Sequence, residues 1–587
     1  MPDKQHTFGQ FETPPDVADL LLGFCLRRPT DRLLDPSCGE GAFLSRAAQW
    51  LDWLTDRRGD IPEDALWGIE LDPQTAVSAQ TALPQAHITN QNFFTTTPDG
   101  KRPFDAIIGN PPYTRAEWLG QLHDDAGQQL ALFDSLSAAD GLPATDKKLL
   151  MPAPLWDSLG GRSGLHAYFF LHGTNFLREG GRFGFVVPNA WLDVAYGERL
   201  KQYLLDHYKI LAIIESDVEH WFSSAKINTC LIVLEKCSGP NRRAANLVRL
   251  VRLKRPLAAL IPFPLSDYRR QQAVERLVTR LLPGASRTAD DAAIRVSAQS
   301  DMRPAARWGL MLRAPDVVGQ SRLQSSLRPL HDWATVQRGF TTGANDFFYL
   351  DAKTSAHWQI EPQFRRPLLK SLRGLNRLTL TTADCKHELL WIPPDATLTG
   401  TGAAAYLAWA ETEGINQRST CANRQPWYSL PMQPLARLIL PKGIWRRHMA
   451  PLLAESLPVD QQLYQIQLPP GIQPETAAAL LNSAWFALQC ELHGRVNFGA
   501  GVLWLAAYEL GRIPLPDPRA LTPQQTAHLA QLFTTLAQRP FPTTEDDLHH
   551  PDRQALDAAV FDLIGLNDEE RTAVLTSLQE RINARKK

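Results

Sequence analysis

The run Arg32-Leu33-Leu34-Asp35-Pro36-Ser37-Cys38-Gly39-Glu40-Gly41 starts as an apolar strand, breaks at a glycine turn and passes, from Gly41 to Leu54, into a helical pattern. Working outward, Leu66-Trp67-Gly68-Ile69-Glu70 reads as a second strand, Pro73 to Ala82 as a helix and Phe104 to Gly109 as a further strand. Strands alternating with helices predict a parallel α/β sheet, whose ligands sit beyond the carboxyl ends of the strands. Arg182 to Pro188 and Thr229 to Glu235 continue the same sheet. Ahead of both, after the strand ending at Gly109, Tyr113 to Gly164 is polar with short helical patches, an excursion of the length usually given to functional or mobile loops.

The chain has 587 residues, 44% apolar and 21% charged, which is globular composition with room for several domains. A net charge of −1 speaks against a uniformly polycationic nucleic-acid binder, yet the charge is unevenly spread. Residues 1–250 carry 23 basic and 31 acidic side chains, residues 251–450 carry 28 and 15, and residues 451–587 carry 10 and 16. The basic middle segment is either a polyanion-binding surface or an Arg-rich solvated one. The seven cysteines have no paired spacing, so neither a disulfide framework nor a zinc site is expected, and a reducing compartment fits. The N-terminal ten residues are polar, without the apolar core of a secretory signal, and no apolar run approaches the roughly 18 residues of a membrane span, so a cytoplasmic protein is expected.

Three features carry chemistry. In Asp35 to Gly41 the glycines let the backbone turn sharply toward a ligand at a helix amino end. Glu70 closes the next strand, where an acidic side chain can accept both hydrogens of a ribose diol. Together they suggest a nucleoside-bearing cofactor and leave NAD and S-adenosylmethionine both open. Asn110-Pro111-Pro112-Tyr113 follows the strand ending at Gly109 and separates the two. Two prolines fix the backbone and remove two N–H donors. The Asn110 side-chain carbonyl and the Pro111 carbonyl can then take both hydrogens of an exocyclic amino group, with Tyr113 stacked on the ring that bears it. An adenine amino nitrogen is a poor nucleophile because its lone pair is delocalised, so acceptors that favour a tetrahedral nitrogen assist its attack on a methyl sulfonium.

On these motifs the sequence resembles the γ-type amino-group DNA methyltransferases, those similar to the TaqI methyltransferase, in order through the first 236 residues. The resemblance implies a Rossmann-like S-adenosylmethionine-dependent sheet followed by an α+β target-recognition domain. Phe11-Glu12-Thr13-Pro14-Pro15 resembles the family's N-terminal cofactor motif, with Thr13 near the methionine carboxylate. Asp35, Pro36, Cys38, Gly39 and Gly41 fall in the methionine-binding loop, and Glu70 is the ribose acceptor. Gln91-Asn92-Phe93-Phe94 resembles the segment that holds the cofactor adenine, with Asn92 where the family usually has Asp, and Phe169 lines the cofactor pocket. Trp221-Phe222, with Lys226-Ile227-Asn228-Thr229, resembles the last catalytic motif, whose aromatic stacks on the target base, so that Phe222 and Tyr113 form a two-sided clamp. A base in a duplex must be flipped out to reach such a site.

The implied organisation is a catalytic domain at 1–255, a linker at 256–300, a target-recognition domain at 301–525 and a helical tail at 526–587. Within the second half, Arg338 to Asp346, Trp427-Tyr428, Asn482-Ser483, Gly499 and Gly501 resemble the recognition domain more loosely. Pro474 to Leu492 reads as one helix and Asp346 to Leu350 as a strand. Lys442, Arg446, Arg447 and His448, with Arg365, Arg366, Lys370, Arg373 and Arg377, are candidates to grip phosphates. The expected activity is site-specific adenine-N6 methylation of double-stranded DNA, in restriction-modification or phage defence. No metal site or nuclease constellation is visible, so any restriction endonuclease is expected as a separate chain. Cytosine-N4 methylation, methylation of RNA guanine or protein glutamine, and an inactive DNA-binding subunit are the alternatives. The co-occurrence of Asp35, Glu70 and Asn110 to Tyr113 speaks against the last.

Overall fold

The computed structural model describes residues 13–55, 61–99, 102–113, 153–159, 164–194, 196–222, 228–431, 433–496 and 501–586. Phe11, Glu12, most of the expected excursion after Tyr113, Lys226, Ile227 and Gly499 lie outside them. The chain divides into two compact units, Met1–Arg313 and Ala314–Lys587.

The first unit is built on a ten-stranded sheet. Its strands are β1 (Leu33–Asp35), β2 (Leu66–Glu70), β3 (His87–Asn90), β4 (Phe104–Gly109), β5 (Leu177–Pro188), β6 (Tyr208–Ser216), β7 (Thr229–Lys236), β8 (Leu247–Leu253), β9 (Arg287–Thr288) and β10 (Ala292–Ala298). The order is β3-β2-β1-β4-β5-β7-β6-β8-β10-β9. Pairing is parallel from β3 to β5 and antiparallel where β7 inserts between β5 and β6. From β1 the chain steps outward to β2 and β3, then returns to the other side of β1 as β4, so the sheet reverses direction between β1 and β4. In open α/β sheets a ligand crevice forms at the carboxyl ends of the strands flanking such a reversal.

Both faces of the sheet are covered, which is why its central strands read as unbroken apolar runs. Leu33 packs on one face and Leu34 on the other; Ala106 and Ile108 of β4 alternate in the same way with Ile107. One face is covered by the helices Pro15–Cys25, Ala42–Leu54 and Arg269–Leu281, the other by Leu165–Gly173, Gly197–His207 and Trp308–Arg313.

The expected linker at 256–300 is instead part of this unit. Helix Arg269–Leu281 buries Ala273, Val274, Leu277 and Leu281 at helical spacing against helix Pro15–Cys25. The two backbones approach so closely that a Cβ on Gly23 would lie 2.5 Å from Val274 Cγ1. Arg270 reaches across to pair with Asp16 and with the buried Asp19. β10 then pairs with β8 over seven residues, Ala292 with Leu253 through to Ala298 with Leu247. Small side chains such as Ala292 and Ala293 look like linker composition, but a strand is held by its backbone ladder and needs no bulk there.

The second unit holds a five-stranded sheet, from Thr335–Arg338 through Leu463–Gln467, Leu438–Pro441 and Leu452–Leu453 to Thr379–Leu380, and smaller sheets beside it. Asp346 to Leu350 is mostly a helical turn, Asn345–Phe348, with only Tyr349–Leu350 in a strand. The expected helix from Pro474 is two, Pro474–Leu481 and Ala484–His493. Ser483 caps the second by accepting from Phe486 N at 3.2 Å, and Asn482 spends its amide bridging both backbone groups of Ala450 at 2.9 Å. The residues expected as a tail pack into this unit: Pro523–Leu536 lies on Pro474–Leu481, and Asp568–Lys586 on Ala484–His493.

Candidate active site

The glycine turn after β1 folds as the sequence requires. Gly39 and Gly41 adopt φ of +52° and +87°, a region costly for any side chain, and a Cβ on Gly41 would also lie 2.6 Å from Leu83 Cδ1. Cys38 N donates to Ile69 O at 3.0 Å, tying the loop to β2. Glu70 closes the pocket floor: one carboxylate oxygen accepts from Gly39 N and the other from Asp72 N, each at 2.9 Å. The Leu71 N–H also bears on this carboxylate, whose two oxygens offer about four lone-pair sites in all.

Asp35 and Glu70 are 1% and 2% exposed. Burial pushes the Asp35 carboxyl up to about 8, with the Ser37 N–H (3.1 Å) working against it and the Glu70 charge adding to it. Burial likewise raises Glu70, opposed by the Asp72 and Gly39 N–H donors. Beside them the Ser37 Oγ is buried with no hydrogen-bond partner among the described residues. Two buried carboxyls, both raised by burial, at a glycine-lined turn form an acceptor set that a cationic, hydroxyl-bearing ligand would stabilise in its charged form.

β4 delivers the next group. Gly109 pairs with β5, and a Cβ there would stand 2.9 Å from Asp35 Oδ1 and 3.3 Å from Phe185 Cε1, so glycine is what lets β4 pass Asp35. Asn110, Pro111, Pro112 and Tyr113 therefore leave the sheet directly beside the β1 turn, at the reversal point. Burial pushes the Tyr113 phenol up. Phe222, buried, lies with its ring centroid 6.2 Å from that of Tyr113 and the two planes at 87°. The two rings are thus brought together, but edge to face rather than as a parallel clamp. An edge-to-face pair is the favoured contact of two bare rings, whereas a base between them needs about 7 Å, two van der Waals contacts of about 3.5 Å.

Of the remaining expected cofactor residues, Asn92 and Phe93 follow β3, which pairs with β2, and Phe169 packs on Phe93. Thr13 is buried just before helix Pro15–Cys25. The Asn92 side-chain carbonyl accepts from Phe94 N at 3.0 Å and caps the turn Phe93–Thr95. Phe93 stacks on Phe169 at 5.3 Å and 19°, and Phe94 meets Phe169 edge-on at 4.8 Å.

One cluster escaped the sequence reading. At the carboxyl ends of β5 and β6, Arg313 donates to Asp193 at 2.8 Å and to Glu215 at 2.6 and 2.8 Å, while Asn189 Nδ2 donates to Glu215 at 2.8 Å. Burial works against charge on Arg313, yet the two carboxylates hold its guanidinium above its ordinary range. The only local hint is an acidic residue closing an apolar run, Ile213-Ile214-Glu215; its partner lies 98 residues on.

Several candidate phosphate contacts prove committed elsewhere. His448 is buried with Nε2 2.9 Å from Glu491, Arg365 pairs with Glu388 at 2.7 Å, and Arg377 pairs with Asp384. The basic segment also divides at the boundary between the units: residues 251–313 carry 12 basic and 5 acidic side chains, residues 314–450 carry 16 and 10.

Residues 3–131 match the RMKL-like methyltransferase domain family, residues 69–222 the Eco57I restriction-modification methylase family and residues 310–542 the C-terminal domain of Type II methyltransferase M.Eco57I. The chain is 23% identical over 429 residues to Type II methyltransferase M.AccI of Acinetobacter calcoaceticus, covering 72% of this chain and 69% of that protein. To M.XamI of Xanthomonas campestris pv. amaranthicola it is 23% identical over 451 residues, covering 73% and 71%. The fold is similar to that of the Type IIL restriction-modification enzyme MmeI, solved in complex with DNA, with a TM-score of 0.55 at 14% identity over 97% of this chain and 75% of that one. No helix among the described residues is long and apolar enough to cross a membrane.

Proposed function

We infer that this chain, a relative of the Type II DNA methyltransferases of restriction-modification systems, transfers a methyl group from S-adenosylmethionine to the N6 amino group of an adenine flipped out of double-stranded DNA. One observation carries this reading: Asn110-Pro111-Pro112-Tyr113 leaves β4 at the sheet's reversal point, directly after Gly109, where a Cβ would lie 2.9 Å from Asp35 Oδ1. The second unit, after Arg313, is assigned the recognition of the DNA site.

The residues present suit the cofactor. Asp35 and the turn through Gly41 would hold its methionine portion, Glu70 its ribose hydroxyls, and Phe93 with Phe169 one side of its adenine; Thr13 borders the methionine end. The bound cofactor supplies an electrophilic methyl on a sulfonium. Asn92 already holds Phe94 N with its side-chain carbonyl, so an adenine contact from that residue would share that oxygen or use its amide nitrogen or backbone.

On the DNA side, the Asn110 side-chain carbonyl and the Pro111 carbonyl accept the two amino hydrogens. That turns the nitrogen lone pair away from the base plane and toward the cofactor side of the turn. Pro111 has no N–H to compete for its own position, and Pro112 fixes the direction in which Tyr113 leaves. Tyr113 stacks on the extruded base and Phe222 bounds its other side once the tyrosine ring turns from its edge-on rest position. Positioning of this kind, in favourable cases, supplies roughly 7–11 kcal/mol of barrier reduction. The departing proton needs no dedicated base, since the methylated amine is acidic enough to lose it to water.

Expression of wild type and Asn110→Ala in a host without its own DNA methylation, followed by methylation-aware sequencing, tests the reading. N6-methyladenine at one sequence, dependent on Asn110, is the expected outcome. N4-methylcytosine at that site would move the assignment to cytosine, and no Asn110-dependent mark on DNA would sink it.

A further inference from the structure

In the second unit the segment Lys442–Arg447 makes a sharp bend after the short strand Gly443–Ile444. Its backbone is fastened from several directions. Lys442 N donates to Gln462 O at 2.9 Å and Lys442 O accepts from Leu505 N at 3.2 Å. Arg446 O accepts from Thr544 N at 2.9 Å, and the Thr544 hydroxyl accepts from His448 N at 2.8 Å. From the C-terminal helix, Arg585 donates to the carbonyls of Trp445 and, at 2.7 Å, Gly501, while its other nitrogen pairs with Glu491 at 2.8 Å. Glu491 in turn lies 2.9 Å from the buried His448.

A backbone held this tightly presents two consecutive side chains to solvent. Trp445 is 55% exposed, with the Arg446 guanidinium 4.4 Å from its ring centroid. Trp409, the other exposed tryptophan among the described residues, is stacked on Tyr406 at 5.4 Å. Trp445 is instead offered outward with a cation on it. Lys442 lies 5.7 Å from the Trp504 ring and feels the charge of Arg338. Of the carboxylates around the bend, Glu491 is committed to Arg585 and Asp460 to Tyr349 and to Gln462 N, while Asp546, exposed on the helical turn whose Thr544 N donates to Arg446 O, accepts from the Thr543 hydroxyl at 2.6 Å.

We propose that this bend is a preformed DNA-contacting finger in which Trp445 stacks on a base of the bound DNA while Arg446 neutralises an adjacent phosphate. The assignment rests on the DNA-acting reading above and adds to it a residue that reads neither as core nor as catalytic. An exposed aromatic with a cation on its face suits nucleic acid, whose bases offer a flat face and whose backbone offers charge. A rigid finger also loses little conformational entropy when it binds.

The test is equilibrium binding of the full chain to a fluorescent random-sequence DNA duplex across about 50 to 200 mM salt. Stacking on one base corresponds to roughly a five-fold or greater loss of affinity when the aromatic is removed. Trp445→Ala should therefore weaken binding at least that much at every salt concentration without changing the slope of log K against log salt, and Trp445→Phe should restore most of the loss. Arg446→Ala should reduce the slope by about one, the signature of a lost phosphate contact. Trp445→Ala binding within about two-fold of wild type overturns the finger, and would be the result if Trp445 served a protein partner instead. Wild type that binds no duplex at all overturns both the finger and the proposed function, so the two failures are told apart by the wild-type curve.

Discussion

Replacing Asp35 with asparagine separates a buried, protonatable carboxyl from one of the same shape that cannot ionise. In the ligand-free protein burial raises this group to about 8, so near pH 6 only about one molecule in a hundred carries the charge that a cationic ligand needs. Binding a sulfonium-and-ammonium ligand at the turn draws the carboxylate into its charged form, and affinity well below pH 8 should rise about ten-fold per pH unit as the proton is expelled, or roughly 25-fold between pH 6 and 7.5. Calorimetric titration with S-adenosylmethionine in two buffers of different ionisation enthalpy measures both the affinity and the released proton, which should approach one near pH 6. Asp35→Asn should bind more weakly at pH 7.5, with a flat pH dependence, and the variant also subtracts any titration belonging to the ligand. The sign for folding is opposite. A carboxyl raised above its unfolded value keeps its proton longer in the folded chain, so the ligand-free protein loses stability as pH climbs from about 4 to about 8, and the variant loses less. Wild-type affinity independent of pH between 6 and 7.5, or an equal slope in the variant, would refute the assignment of Asp35 to cofactor charge.

Gly109→Ala forces a Cβ to within 2.9 Å of Asp35 Oδ1 and 3.3 Å of Phe185, so it should cost about 1–3 kcal/mol of stability and, by moving Asn110, reduce methyl transfer at least ten-fold. Calorimetry together with a tritiated-methyl transfer assay would show this, and unchanged activity would mean that β4 does not set the position of Asn110. Arg313→Met strands Asp193 and Glu215, both mostly buried, and should cost about 3 kcal/mol or more in urea unfolding. Adding Asp193→Asn and Glu215→Gln should recover part of that loss; no recovery would show that packing rather than charge pairing holds this corner.

The strand ends that carry the candidate site were the most legible part of the chain. Asp35, Glu70 and Asn110 to Tyr113 stood out because each lies at the end of an apolar strand, and β1, β2 and β4 are short, strongly apolar runs separated by helices of ordinary length. β3 escaped because His87 to Asn90 is an edge strand with no fully buried residue, and edge strands need no apolar pattern. β10 escaped because alanines can pair without bulk. The split at Asn482 in the expected long helix was hidden because Asn482 and Ser483 interrupt it through bonds to Ala450 and Phe486, and only the first of these is distant in sequence.

What the sequence by itself determined was the succession of strand, glycine turn and helix from Leu33 to Gly109, apart from β3, and the identity of the groups at the ends of β1, β2 and β4. Those follow from local causes: hydrophobic alternation, the need for glycine at left-handed φ, and the missing N–H of proline. Only the tertiary structure decided which charges are available. Arg270 is spent on Asp16 and Asp19, Arg313 on Asp193 and Glu215, and Arg585 on Glu491, while Trp445 and Arg446 are left facing solvent. The boundary at Arg313 likewise turned one basic stretch into two, because a side chain's charge is set by what burial and distant partners place around it, and no window along the chain contains those partners.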